Sequence, residues 1–319
     1  MSSTLPVRAP EWIRERKLRL ADLHEVKSVM RANGLHTVCE EARCPNRGEC
    51  FARGTATFLL LGDVCTRACG FCDIANGKPL PVDPLEPVRV RAAVQRMALQ
   101  FVVLTSVDRD DLPDGGAAHF AETIRAVRAI DPPPGVEVLT PDFRGRRASV
   151  ETVVAAKPEV FNHNVETVPR LYRDVRRGAS LERSLTLLST VKDLDPAMTT
   201  KSGFMLGLGE QPDEVSELLR RLRGARVDIV TIGQYLRPTT HHLPVARWVP
   251  PQQFEAWAEA GRALGIPHVE ASPLTRSSYH ARQAESAALH GASSPSTGVG
   301  VGSGVGVGVA SDPSFDTAG

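Results

Sequence analysis

The chain has 319 residues, 42% hydrophobic and 24% charged, close to the make-up of a soluble globular protein with a sizeable apolar core. A formal net charge of +1 gives no broad basic field for nucleic acid, and no apolar run approaches the ~20 residues that cross a bilayer, so neither is an expected partner. The first twenty residues lack the apolar core of a signal peptide and carry acidic groups that suit no transit peptide, which reads as a cytoplasmic protein.

From the N-terminus, Trp12, Ile13, Leu18, Leu20, Leu23, Val26 and Met30 recur at helical spacing among charges, predicting an amphipathic helix over 10–32. This helix belongs to an extension, 1–54, that ends in the turn-rich stretch CEEARCPNRGEC. Short apolar runs then alternate with helical patterns: 56–62, 100–106, 135–140, 159–164, 202–209, 227–235 and 268–272 read as strands. Repeated strand–helix units predict an α/β protein with a parallel sheet, most economically a partial (β/α) barrel over 55–290, with a doubly wound open sheet as the alternative. From 291 to 319, glycine alternates with valine and serine, a tail with nothing to pack.

Polar or glycine-rich clusters follow the strands: CTRACGFC, TSVDRDD, TPDFRG, NHNVET, GLGE and GQYLRPT. Loops at the carboxyl ends of barrel strands converge on one mouth, so these clusters form the candidate site. Within them, Asn164 and Glu166 suit a ribose or a helix cap, Ser106 and Asp108 a methionyl end, and Arg177 and Lys201 an anion or cofactor. Gly207 and Gly209 suit a phosphate turn or close backbone packing. His241 and His242 read as loop residues.

All six cysteines fall between Cys39 and Cys72, a clustering that points to reduced metal-binding thiolates rather than disulfides or scattered core residues. Cys65, Cys69 and Cys72 form C-x3-C-x2-C at a strand end. Three thiolates hold three corners of a cubane and leave one iron open, whereas an electron-carrying 4Fe-4S cluster takes four cysteines. Cys39, Cys44 and Cys50 form a second triad, C-x4-C-x5-C. A zinc site is the bland reading of either triad alone.

The 65/69/72 triad, with Phe71 beside its last cysteine, resembles the radical S-adenosylmethionine superfamily. The two triads in this order, with RSSY at 276–279, resemble the lipoyl synthase family over roughly 8–282. TSVDRDDLPDGGA, PDFRG, HNVET, TKSG and GQYLRPT read as in that family; Ala68, Gly70 and 271–273 depart mildly from it. The resemblance implies two 4Fe-4S clusters and S-adenosyl-L-methionine. The 65/69/72 cluster would cleave S-adenosylmethionine to a 5'-deoxyadenosyl radical, and the 39/44/50 cluster would donate two sulfurs to C6 and C8 of a protein-bound octanoyl-lysine. It also implies a serine ligand to the second cluster, Ser278 with Ser277 as the close alternative. The implied partners are octanoylated lipoyl domains of 2-oxoacid dehydrogenase complexes, the glycine cleavage H protein, and an electron donor such as ferredoxin or flavodoxin. Another sulfur-inserting radical enzyme with an auxiliary cluster, a two-cluster electron carrier and a zinc-binding interaction protein are the competing readings.

Overall fold

A computed structural model describes residues 9–14, 30, 34–37, 46, 50, 54–278, 281 and 283. Cys39, Cys44, the 291–319 tail and most of the expected 10–32 helix lie outside these residues; within that helix only Met30, which is buried, and the turn α1 (Glu11–Arg14) are described.

The central sheet has eight strands in the order β1 (His36–Thr37), β2 (Thr55–Leu60), β5 (Phe101–Ser106), β6 (Gly135–Leu139), β7 (Val160–Asn162), β8 (Thr199–Leu206), β9 (Ile229–Gln234) and β10 (His268–Ala271). All pairings from β2 to β10 are parallel, and β1 adds antiparallel to β2. Spatial order follows chain order without reversal. A doubly wound sheet reverses at a switch point, so the barrel reading holds over its alternative. Among the described residues no pairing joins β10 back to the other edge, and the barrel is partial.

The predicted strands fall where expected, except that β8 begins at Thr199 rather than 202 and ends at Leu206. The helices α2 (Glu86–Arg96), α3 (Ala117–Arg128), α4 (Arg147–Ala155), α5 (Tyr172–Val175), α6 (Leu181–Leu194), α7 (Pro212–Gly224) and α8 (Pro251–Ala263) lie between the strands. Alternation along each strand divides its residues between two surroundings. Val102, Leu104, Val136 and Val138 join Val90, Val94, Phe120, Ile124 and Val127 of α2 and α3 in one apolar core. Each fully buried valine, leucine or phenylalanine there contributes roughly 1.5–3 kcal/mol.

The alternate residues face the lumen, and there Glu137, Asn162 and Lys201 are fully buried. Phe101, Val103 and Val160 instead form a small apolar cluster with Ala281, just beyond the RSSY stretch. Among the described residues no helix is long and apolar enough to cross a membrane.

Candidate functional site

The first cysteine loop is fixed at its base by a two-stranded parallel pair, β3 (Val64–Cys65) with β4 (Ala75–Asn76). Gly77 N–H donates to Cys65 O at 2.9 Å. Three other strand-end loops hold the loop itself. From the β5 end, Asp108 N–H approaches Cys65 Sγ at 3.3 Å, and Asp108 O accepts from the Thr66 amide and hydroxyl at 3.0 and 2.8 Å. From the segment after β7, Val175 O accepts from Gly70 N–H at 2.9 Å. From the loop after β9, Leu243 N–H donates to Gly70 O at 3.1 Å and His242 Nε2 donates to Cys72 O at 2.9 Å. A Cβ on Gly70 would lie 2.7 Å from Asp174 O and 2.9 Å from Leu243, so glycine is required at this crossing.

Arg67 lies inside the cysteine loop and ties it down by charge. Its guanidinium donates to both Asp110 carboxylate oxygens at 2.8 Å and to Asp142 Oδ1 at 2.7 Å, with Asp108 at 3.4 Å. Arg183 holds the other Asp142 oxygen at 2.9 Å. Burial alone would weaken the Arg67 cation, but its hydrogen bonds to Asp110 and Asp142 outweigh burial and hold it above the ordinary guanidinium range. By the same contacts Asp142 stays well below the carboxylate range despite its burial. Arg109 braces the preceding turn by donating to Leu61 O at 3.2 Å while pairing with Asp111. TSVDRDD and PDFRG are thus largely the clamp of CTRAC.

The thiols of Cys69 and Cys72 are pushed up by burial, to about 12 and about 11, and that of Cys65 is raised for the same reason. Thiols raised in this way ionise when a metal centre supplies positive charge beside them. Cys65, Cys69 and Cys72 form no disulfide. Among the described residues no three His, Cys, Asp or Glu side chains converge as a single metal ion would need.

Around this loop the structure assembles most of the expected cofactor residues. Ser106 ends β5, and its Oγ is buried without a hydrogen-bond partner. Asp108 is raised by burial, against the pull of Arg67. Asn164 donates to Glu166 Oε1 at 3.0 Å and to Ser277 Oγ at 2.5 Å, while its own Oδ1 is a second orphaned buried acceptor. Glu166 is raised by burial and sits at φ 66. Buried polar atoms with no partner in the protein suit a polar ligand.

Two expected contacts are placed otherwise. Lys201 is sealed in the lumen, its ammonium 3.0 Å from Glu137 Oε2, and Asn162 donates to the other oxygen of that carboxylate at 2.7 Å. Arg177 is exposed, whereas its neighbour Arg176 is buried, donating to Asn164 O at 2.7 Å and to Ser184 Oγ at 3.2 Å. Arg176 is the cation that the sequence reading missed; the clue lies in Tyr172, whose buried hydroxyl donates to Val165 O and places that helical turn against the site. The amides of Gly207 and Leu208 are both taken by Glu210, and a Cβ at Gly207 would lie 2.7 Å from Arg247 O, so close packing accounts for Gly207, while Gly209 is set apart by its positive φ of 104.

The RSSY stretch borders this site. Gly233 at the end of β9 makes room for it: a Cβ there would lie 2.2 Å from Thr275 O. On its other side, Asn46 of CEEARCPNRGEC donates to Leu274 O at 2.6 Å. One segment therefore touches both the loop of the second cysteine triad and, through Ser277, Asn164 at the mouth.

A partial barrel with a three-cysteine loop after its first parallel strand, at the mouth of the sheet, defines a radical S-adenosylmethionine enzyme. The superfamily model matches residues 59–222. Two solved structures share the fold: Streptococcus suis SuiB bound to precursor peptide SuiA (TM-score 0.52, 11% identity, 84% of this chain and 57% of that one) and the radical S-adenosylmethionine methyltransferase TsrM of Kitasatospora setae (TM-score 0.53, 12% identity, 77% and 62%). The sequence goes further. Lipoyl synthases of Methylococcus capsulatus (55% identical over 279 residues, 87% of each chain) and Rubrobacter xylanophilus (54% over 283 residues, 89% of this chain and 88% of that one) align along nearly its whole length. The chain belongs to the lipoyl synthase family, and superfamily membership implies S-adenosylmethionine and one 4Fe-4S cluster as cofactors.

Proposed function

We propose that this chain inserts two sulfur atoms, at C6 and C8, into an octanoyl group carried on a lysine of a lipoyl-accepting protein. Cys65, Cys69 and Cys72 would hold the cluster that binds S-adenosylmethionine, and Cys39, Cys44 and Cys50 with Ser278 a second cluster that serves as sulfur source. Bound together, the first cluster and S-adenosylmethionine supply hydrogen-atom abstraction, which an unactivated methylene requires because no side-chain base can remove its proton. The protein's own part is placement. Arg67 and its carboxylates fix the cysteine loop, Ser106, Asp108, Asn164 and Glu166 offer polar groups to the cofactor, and Arg176 sets the backbone of Asn164 from behind. Substrates of this class are the octanoylated lipoyl domains of 2-oxoacid dehydrogenase complexes and the glycine cleavage H protein, with a ferredoxin or flavodoxin as electron source, all in the cytoplasm.

The observation that carries the two-cluster reading is the Asn46–Leu274 hydrogen bond, which ties the loop of the second triad to the RSSY stretch. Engagement of Ser277 by Asn164 supports Ser278 as the ligand, since its neighbour's hydroxyl already serves another partner. The domain reading, an extension over 1–54, a barrel over 55–290 and a tail over 291–319, fits a second cluster housed outside the barrel. The test is one anaerobic assay with dithionite, S-adenosylmethionine and an octanoyl-lysyl peptide on protein carrying rebuilt clusters. Mass spectrometry should find 5'-deoxyadenosine and a peptide that has gained two sulfurs. Wild-type insertion by a Cys44→Ala variant would refute the second cluster.

A further inference from the structure

The 173–178 segment lies against the cysteine loop at Gly70 and is exposed at 173, 174, 177 and 178, with arginine at 173, 176 and 177. Gly70, between Cys69 and Cys72, is in contact with the backbone of Asp174 and Val175. Gly178 lies against Arg67, to which a Cβ at that position would come within 4.0 Å. Arg183 crosses from this segment to the loop after β6: it donates to Gly178 O at 3.0 Å, and its stem lies 3.5 Å from where a Gly145 Cβ would stand. Through Arg183 the 173–178 segment and the 144–146 turn are neighbours, which puts Arg144, Arg173 and Arg177 on adjoining stretches of chain. Arg144 and Arg177 are exposed, and the Arg173 side chain is 95% exposed. The exposed carboxylate of Asp174 stands 3.8 Å from Arg173. Glu182 turns away to Arg221 and Asp142 is buried beneath.

We propose that this arginine surface is the docking site for an acidic one-electron donor protein. The inference rests on the 65/69/72 cluster reading above. In each cycle the donor loses one electron and the cluster gains it; no atom is transferred at the surface. Cofactor and substrate enter at the mouth in this reading, so a donor on the 173–178 side does not compete with them. The 173–178 segment itself meets the cysteine loop at Gly70. An excess of positive charge on that segment selects a negatively charged partner and speeds its encounter, by about tenfold or more at low ionic strength. Small-molecule reductants need no such surface.

The test uses full-length protein with rebuilt clusters and the double variant R173E/R177E, two exposed positions to which the site assigns no role. The formation of 5'-deoxyadenosine is followed with dithionite and, separately, with flavodoxin reduced by its NADPH-dependent reductase. Binding of oxidised flavodoxin is followed by calorimetry. The proposal expects a dithionite rate within about twofold of wild type. With flavodoxin it expects a rate reduced about tenfold at low salt, weakened flavodoxin binding, and a wild-type advantage that disappears at high salt, where such attraction is screened. A flavodoxin-driven rate and binding that survive the charge reversal would overturn it, as would equal losses with both reductants. A wild type that forms no 5'-deoxyadenosine even with dithionite would refute the cluster reading, and flavodoxin binding would still report on the surface.

Discussion

Replacing Arg67 by methionine removes the shared partner of three carboxylates that come from two different strand ends. The Arg67 side chain is 6% exposed and Asp142 is fully buried, so their contact is the one that counts at interior strength. Asp110 and Asp108 keep 29% and 20% exposure, and each contributes only about 0–1 kcal/mol as a partly solvated pair. Removing one partner of a buried pair costs roughly 3–5 kcal/mol. Asp142 retains Arg183 and the Arg144 N–H, which places the loss near the lower end of that range. For a domain of this size such a loss lowers the melting temperature by roughly 6–12 °C. The local effect is on the cysteine loop, which loses its tie to the β5 and β6 ends. In a Cys39→Ala/Cys44→Ala/Cys50→Ala background, where the 65/69/72 cluster alone is counted, R67M should melt early and hold less iron and sulfide per chain. R67K keeps a charge but not the two-pronged geometry and should fall between. Anaerobic thermal unfolding with iron and sulfide analysis measures both quantities. A wild-type melting temperature and full iron content in R67M would refute the clamp.

Ser278→Ala should abolish sulfur insertion while 5'-deoxyadenosine still forms, and Ser277→Ala should weaken both modestly through Asn164; product analysis by mass spectrometry separates the two. Lys201→Met leaves Glu137 charged and buried with Asn162 as its remaining hydrogen-bond donor, a loss of roughly 3–5 kcal/mol that the double variant with Glu137→Leu should largely recover, read from melting temperatures. His163 is held neutral by burial, its pKa lowered to about 3, with Nδ1 donating to Thr140 O and Nε2 accepting from Ser184. The unfolded chain takes up this proton below about pH 6.5 and the folded chain does not, so stability falls with pH at about 1.4 kcal/mol per unit below that point, and H163Q should flatten this part of the profile between pH 7 and 5.

Much of the barrel was legible because the parallel strands, covered on both faces, are near-continuous apolar runs, and because strand–helix alternation admits few arrangements. TKSG was different. Lys201 does not look like a buried strand residue alone; it is accommodated because Glu137, far along the chain, pairs with it. The cysteine triads were readable from spacing, since the three cysteines of each fall on one short stretch of chain, 39–50 and 65–72.

What the sequence determined by itself is which chemistry the chain can carry: six thiols in two groups of three, one at a strand end and one before it. Only the tertiary structure decided which polar residues face that chemistry. Arg176 and Arg177 are indistinguishable in sequence, but the backbone at the end of α5 turns one inward to Asn164 and leaves the other in solvent. Lys201 faces the lumen and meets Glu137 because side chains alternate along β8. Arg67 gains its carboxylates from loops more than forty residues away, and Asn46 meets Leu274 across 228 residues. Contacts of that range are made when successive strands line up in one sheet and bring their end loops together, and no local pattern encodes them.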